Sequence, residues 1–393
     1  MVPPKASLAL GLTLLLAAAC TLPAQPAGET GQAATPASTT MPGPTVTATV
    51  EPVLPHALYF LSRRSGSQQV WRLERDGVTQ SQITTEAADV LSFDVSHADG
   101  SLVFVAQNQL YLAESNGANR RLLVDNAAAD PQPASFYYNQ RLGDPRFSPD
   151  GRFLAYSYDG VWILELSSFQ AVKFIANQLE SSADGSIILE AYYAPLQWAP
   201  DSQHLLLTLG GSESSTLGFL NPGAEPLVTE VENNTGLVCC QAAWAPDSSS
   251  VVVTSPYIGL MEPGAWRYAA LTGAKTKLLD TNDNGLFHFA GWPLQTADGR
   301  LFYFYASSAE VPEGEAPLYM VRTGPDGISE RTQLRPDAFS NLVDVLWAED
   351  GSLALLVQVG LDGGPAGSVL LAASDGRQIV LLLDEAHMLR WGP

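Results

Sequence analysis

A short phrase recurs along this chain: an aromatic residue, a small or polar one, a Pro-Asp or similar turn, then an apolar run. It reads RFSPDGRFLAYS at 146–157, QWAPDSQHLLLT at 197–208 and AWAPDSSSVVVT at 243–254. Looser copies are DVSHADGSLVFVA (94–106), GWPLQTADGRLFYFY (291–305) and LWAEDGSLALLV (346–357), and a truncated RWGP stands at 390–393. Anchored on Val95, Phe147, Trp198, Trp244, Trp292, Trp347 and Trp391, the copies follow one another every 44 to 55 residues. Short strands and turns repeated at such a period are the pattern of a propeller blade.

Each part of the phrase has a physical task. The aromatic anchor ends an innermost strand and packs between neighbouring blades. Pro-Asp-Gly or Asp-Ser makes the tight turn, glycine supplying positive φ. The runs LAYS, LLLT, VVVT and LALLV are apolar on both faces, as a strand sandwiched between blades must be. Segments 161–166 and 110–114 read as third strands, and 120–124 as an outer strand. The pattern predicts an all-β, closed β-propeller over 57–393 with seven four-stranded blades, six or eight being the alternatives. The segment 387–393 reads as an innermost strand stopped at its turn, and ALYFLSRR (57–64) as the strand that should follow it. One blade is therefore expected to be shared between the two ends of the chain, hiding sheet edges.

These copies resemble the TolB-type, WD-like propeller repeats of bacterial envelope proteins, through seven copies over 57–393. The resemblance implies the fold and an envelope setting; it implies no particular activity, because such blades serve many roles. The chain departs from TolB in leaving no room for a folded domain before the propeller and in its seven blades, so TolB's partners are not carried over.

The N-terminus reads as an address. One lysine precedes an apolar run from Leu8 to Leu16, followed by small residues, which is the build of a secretory signal and too short for a bilayer span. Leu16-Ala17-Ala18-Ala19-Cys20 resembles the bacterial lipobox, which implies cleavage after residue 19 and a lipid on Cys20. Residues 20–56, rich in Pro, Ala and Thr, are expected to be a flexible tether with a reach of roughly 30–35 Å. The expected organisation is thus a signal peptide (1–19), a tether (20–56) and a propeller (57–393), anchored outside the cytoplasm on the bacterial cell membrane.

The charge balance, 20 Lys+Arg against 41 Asp+Glu for a net −21, excludes a nucleic-acid footprint. No Gly-x-Ser-x-Gly elbow, phosphate loop or His-Glu-x-x-His motif is present. The five histidines (His56, His97, His204, His288, His387) are scattered over linker, turns and different blades, and suggest no shared metal. Asp280, Asn282 and Asn284, followed by Gly285, resemble the first half of a calcium loop. The twelfth position is Gly291 where an EF-hand places glutamate, so an inter-blade turn is the simpler reading and no cofactor is expected. Cys239-Cys240 is a vicinal pair, read equally as a strained ring disulfide or as two reduced thiols.

The irregular stretches point to a working face. In this blade grammar the connections between blades share a rim with the loops between second and third strands. That rim collects Phe136, Tyr137, Tyr138, Arg141, Tyr192, Tyr193, Tyr257, Trp266, Phe287, His288 and Phe339. Concave, loop-built aromatic surfaces suit ligands. The expected function is non-catalytic binding or scaffolding by a monomer, with an extracytoplasmic protein, peptide or glycan as partner. The alternative is a propeller hydrolase or lyase acting at the channel mouth.

Overall fold

The computed structural model describes residues 52–127, 141–181, 187–210, 215–232, 241–256, 263–279, 284–310, 316–360 and 364–393, side chains of 179–190 excepted. Every regular element among them is a β-strand, and neighbouring strands in each sheet run antiparallel. Five sheets hold the consecutive segments 90–125, 143–175, 178–230, 242–279 and 287–339. A sixth, seven-stranded sheet joins the two ends of the chain.

That sheet is two four-stranded units sharing one long strand, Val380–Trp391. Its first half pairs with Gly367–Ala373, as outer strand of the unit 342–386. Its second half pairs with Leu58–Ser65 through Leu58↔Trp391, Tyr59↔Arg390 and Leu61↔His387, as innermost strand of a closing unit with 58–82. We number the units first (90–125) to sixth (342–386), then the closing unit.

Apolar side chains cement every seam. In Leu353–Gln358, Leu353, Leu355 and Val357 pack against Phe60 and Trp391 of the closing unit. Ala354 and Leu356 face Phe304 and Trp292 of the fifth. This period-2 division of one strand between two seams explains runs without polar alternation. Similar clusters join closing to first, first to second, second to third, third to fourth and fourth to fifth units, so the units form a closed ring. The fold is a β-propeller.

The anchors do two things. All are buried, and several tryptophans reach back to the preceding unit: Trp198 Nε1 donates to the Arg146 carbonyl (3.0 Å), Trp347 to that of Trp292 (2.9 Å) and Trp391 to that of Trp347 (2.7 Å). The turns after the anchors are also stitched together. Asp150 N donates to Ser202 Oγ and Asp201 N to Ser248 Oγ, each at 3.1 Å.

One boundary differs from expectation. Residues 53–56, read as the end of the tether, belong to the folded body. Leu54 is fully buried, the amides of Val53 and Leu54 donate to the Arg75 carbonyl (2.8 and 3.0 Å), and the His56 ring stands 6.4 Å from Trp391. Val53 and Leu54 form an apolar pair, and burial of Leu54 carries the chain into the ring. Residues 1–51, Cys20 included, lie outside the described residues.

Candidate functional site

The innermost strands decide what faces the axis. Side chains alternate, so an anchor turned into a seam puts the residue before it on the axial side, and contacts between units place several residues three before an anchor beside it. These are Asp94, Arg146 and Arg390 one place before, and Asp144, Gln241 and Asp344 three places before. Gln241 Nε2 donates to Asp344 although the fourth and sixth units are not neighbours, a contact made across the axis. Asp344 Oδ2 also accepts from Leu389 N (3.3 Å). Arg390 Nε donates to Asp94 Oδ1 (3.2 Å), and Asp94 Oδ2 accepts from Phe147 N (2.8 Å). Arg146 Nε donates to the Leu196 carbonyl (2.8 Å). Polar links thus join the sixth, closing, first, second and third units in turn, and the fourth to the sixth across the axis.

Burial sets the electrostatics there. It lowers the Arg146 guanidinium, helped by the like charge of Arg390 and opposed by Asp94 and Asp144. It raises the Asp344 carboxyl, against the pull of Arg390 and the Leu389 and Val345 amides. It lowers His387, with Asp344 and Glu385 opposing. The repeat pattern alone does not single out Asp94, Arg146, Asp344 or Arg390. Their signal was available: charges inside otherwise apolar strands, at a fixed offset from the anchor.

At the rim opposite the turns the channel opens into a cavity of about 230 Å³. Leu91, Arg141, Asp144, Tyr192 and Met388 line it, contributed by the closing, first, second and third units and the connection before the second. Asp144 Oδ2 accepts from Ser157 Oγ (3.0 Å), which orients the carboxylate at the edge of the opening. The Tyr192 ring lies so close over Gly210 that a Cβ there would stand 2.3 Å from Cδ1, so glycine is required beneath it. The structure therefore brings together two of the expected face residues, Arg141 and Tyr192, and adds a carboxylate and apolar walls.

Others of that set are structural. Tyr193 follows Tyr192 and by alternation falls on the opposite side of its strand, buried in the second–third seam. Trp266 lies within Gly264–Ala269 instead of a loop; it is buried in the third–fourth seam with Lys275 Nζ 5.0 Å from its ring. Phe339 is buried at the end of Thr332–Phe339, edge-on to Phe304 at 5.6 Å, and Phe287 packs half-buried on the same cluster. His288 is buried with Nδ1 2.8 Å from the Tyr305 hydroxyl. The rings of Tyr193, Trp266, Phe339 and Phe287 fill seams and that of His288 is buried against Tyr305, so they are corrected from exposed anchors to packed residues. Asn284 is exposed in a turn with φ 54°. Phe136, Tyr137, Tyr138, Tyr257, Asp280, Asn282, Cys239 and Cys240 lie outside the described residues. Among the described residues no three His, Cys, Asp or Glu side chains are grouped to hold a metal ion.

No family model and no curated protein matches the chain. Solved structures do match it. It is similar to an oligogalacturonate lyase in complex with manganese (TM-score 0.52, 13% identity, 83% of this chain and 84% of that one). It is similar to a puromycin-hydrolyzing peptidase from Mycobacterium tuberculosis (TM-score 0.56, 14% identity, 85% of this chain) and spans 52% of that chain. TolB from Acinetobacter baumannii also matches, at TM-score 0.44 and 14% identity, over 86% of this chain and 82% of that one. At such identities the likeness is one of fold, and that to the lyase and the peptidase agrees with the propeller described above.

Proposed function

We propose that this protein is a lipid-anchored, extracytoplasmic, seven-bladed propeller that binds a protein, peptide or glycan at the axial mouth opposite the turn rim. The observation that carries this reading is the convergence there of Arg141, Tyr192 and Asp144 on a cavity with apolar walls at Leu91 and Met388. Arginine and tyrosine are the residues in which binding energy concentrates, and an apolar lining suits retention better than turnover. The axial carboxylates Asp94 and Asp344 are already engaged by backbone amides and by Arg390 and Gln241, which favours a wall over an acid–base pair. The signal sequence and Cys20 support the envelope setting, and the tether supports a body held off the membrane.

Two measurements test it. Cys20→Ser should move the protein from the membrane to the soluble fraction; unchanged detergent-dependent partitioning contradicts the anchor. A partner retained from an envelope extract by the native protein should be lost with Arg141→Ala and Tyr192→Ala and kept with Asp247→Ala on the turn rim. Loss confined to the turn-rim variant would place the working face on the wrong side.

A further inference from the structure

We propose that the fifth unit, beside its seam with the fourth, holds a second binding site, separate from the axial mouth, for an acidic saccharide. A cavity of about 560 Å³ opens there, lined by Tyr305, Ser307, Ser308, Tyr319, Arg331 and Gln333. This is the size of pocket that takes a ligand of one or two rings. The apolar cluster of this seam includes Tyr303 and Val321, which pair across two strands of the fifth unit. Two places along the same strands, on the same face, Tyr305 and Tyr319 pair in turn and line open space.

Arg331 gives the cavity its character. Eight described arginines pair with a carboxylate, as expected in a chain with twice as many acidic as basic residues. Among the described residues no carboxylate pairs with Arg331, whose side chain donates a hydrogen bond to the Tyr303 hydroxyl. Its guanidinium lies 4.0 Å from the centre of the Tyr305 ring, and its Nε is buried without a hydrogen-bond partner. The Tyr305 hydroxyl is held by His288 Nδ1 at 2.8 Å and the two rings stack at 5.9 Å, so the platform under the guanidinium is fixed. A buried donor left unmade costs free energy, and a stacked guanidinium is a preorganised fork for a carboxylate. Gln333, Ser307 and Ser308 add neutral groups that suit sugar hydroxyls. The Tyr319 ring and Pro317 offer the apolar wall that the C–H face of a pyranose covers. A carboxylate on a polyhydroxylated ring answers all three.

The test is calorimetric titration of the full-length protein in detergent with glucuronic acid, glucose and acetate. Glucuronic acid should bind, with glucose and acetate each about tenfold weaker or more. Arg331→Gln and Tyr319→Ala should each weaken glucuronic acid about tenfold without moving the melting temperature, while Arg377→Gln, on an exposed turn of the sixth unit, should change nothing. If Arg331→Gln does not fold, Gln333→Ala carries the same expectation of weakened binding. Absence of glucuronic acid binding, equal binding of glucose, or full binding by the Arg331 and Gln333 variants overturns the site. Acetate binding as tightly as glucuronic acid overturns the saccharide.

Discussion

Two serines show how one residue can serve two purposes. Ser202 and Ser248 sit at φ 59° and 61°, in the left-handed region, where other units place Gly151 and Gly351 at φ 69° and 70°. The glycines are required twice over: a Cβ on Gly151 would stand 2.7 Å from Ala98 Cβ, and one on Gly351 2.6 Å from the Phe302 ring. At the serine positions the strain, roughly 1 kcal/mol, is offset by a hydroxyl that accepts the amide of the preceding turn. Removing the hydroxyl while keeping the strain is the informative change. Ser248→Ala should destabilise by about 1 kcal/mol in urea unfolding, whereas Ser248→Gly, losing both, should be close to neutral. Equal losses for the two variants would mean that the left-handed strain is absent, and a neutral Ser248→Ala that the turn-to-turn hydrogen bond contributes nothing. Gly351→Ala should be worse than either, by about 1–3 kcal/mol, because the aromatic ring opposite has to move.

Turns and strands together set the acid limit of the fold. Asp247, Asp298 and Asp350 hold their carboxyls below the usual range, first through the side chains of Ser249, Thr296 and Ser352, and Asp326 does so first through the Ile328 amide. An acid whose folded value lies below its unfolded one, near 3.9, adds stability that is complete above that value and fades as pH falls through the folded one. The contribution of these carboxyls to stability should therefore stay level down to about pH 4 and drop below it, and Asp247→Asn should flatten the drop. Among strands, Trp347→Phe should cost about 1–3 kcal/mol, since it strands the buried Trp292 carbonyl. The anchors, the turns and the split unit were legible in the sequence because each repeats at a fixed offset. The site was legible only in part. Tyr192 and Tyr193 look alike in a string, and strand phase alone puts the first at the cavity and the second in the core. Trp266 read as a loop residue because its flanking Gly264 hid the start of a strand. The axial charges escaped notice because each copy was read for its apolar pattern rather than for the exceptions to it.

At the scale of the ring, closure rests on the second half of the last strand, which pairs with Leu58–Ser65. Leu389 and Trp391 are buried in the last seam, and Arg390 ties the closing unit to the first. Deleting 387–393 should destabilise the protein by several kcal/mol, Trp391 alone being worth about 3–5; unaltered urea unfolding of the truncated chain would contradict the shared blade. The axis adds a pH dependence of opposite sign to the turns. Burial raises Asp344, so its ionised form costs stability at neutral pH and that cost disappears as the carboxyl protonates. The stability difference between the native protein and Asp344→Asn should accordingly shift in favour of the native protein as pH falls from 7 to 4, readable from paired melting curves. The joined ends also dictate a timetable. A chain made from its N-terminus presents Leu58–Ser65 early, and its innermost partner arrives last; Arg390 and Asp94, which meet across the join, are 296 residues apart. Blades can form one by one during synthesis, but the ring cannot. If the chain is exported as proposed, the first strand crosses the membrane with an open edge and waits on the far side for its partner, so closure then belongs to the destination and not to the ribosome.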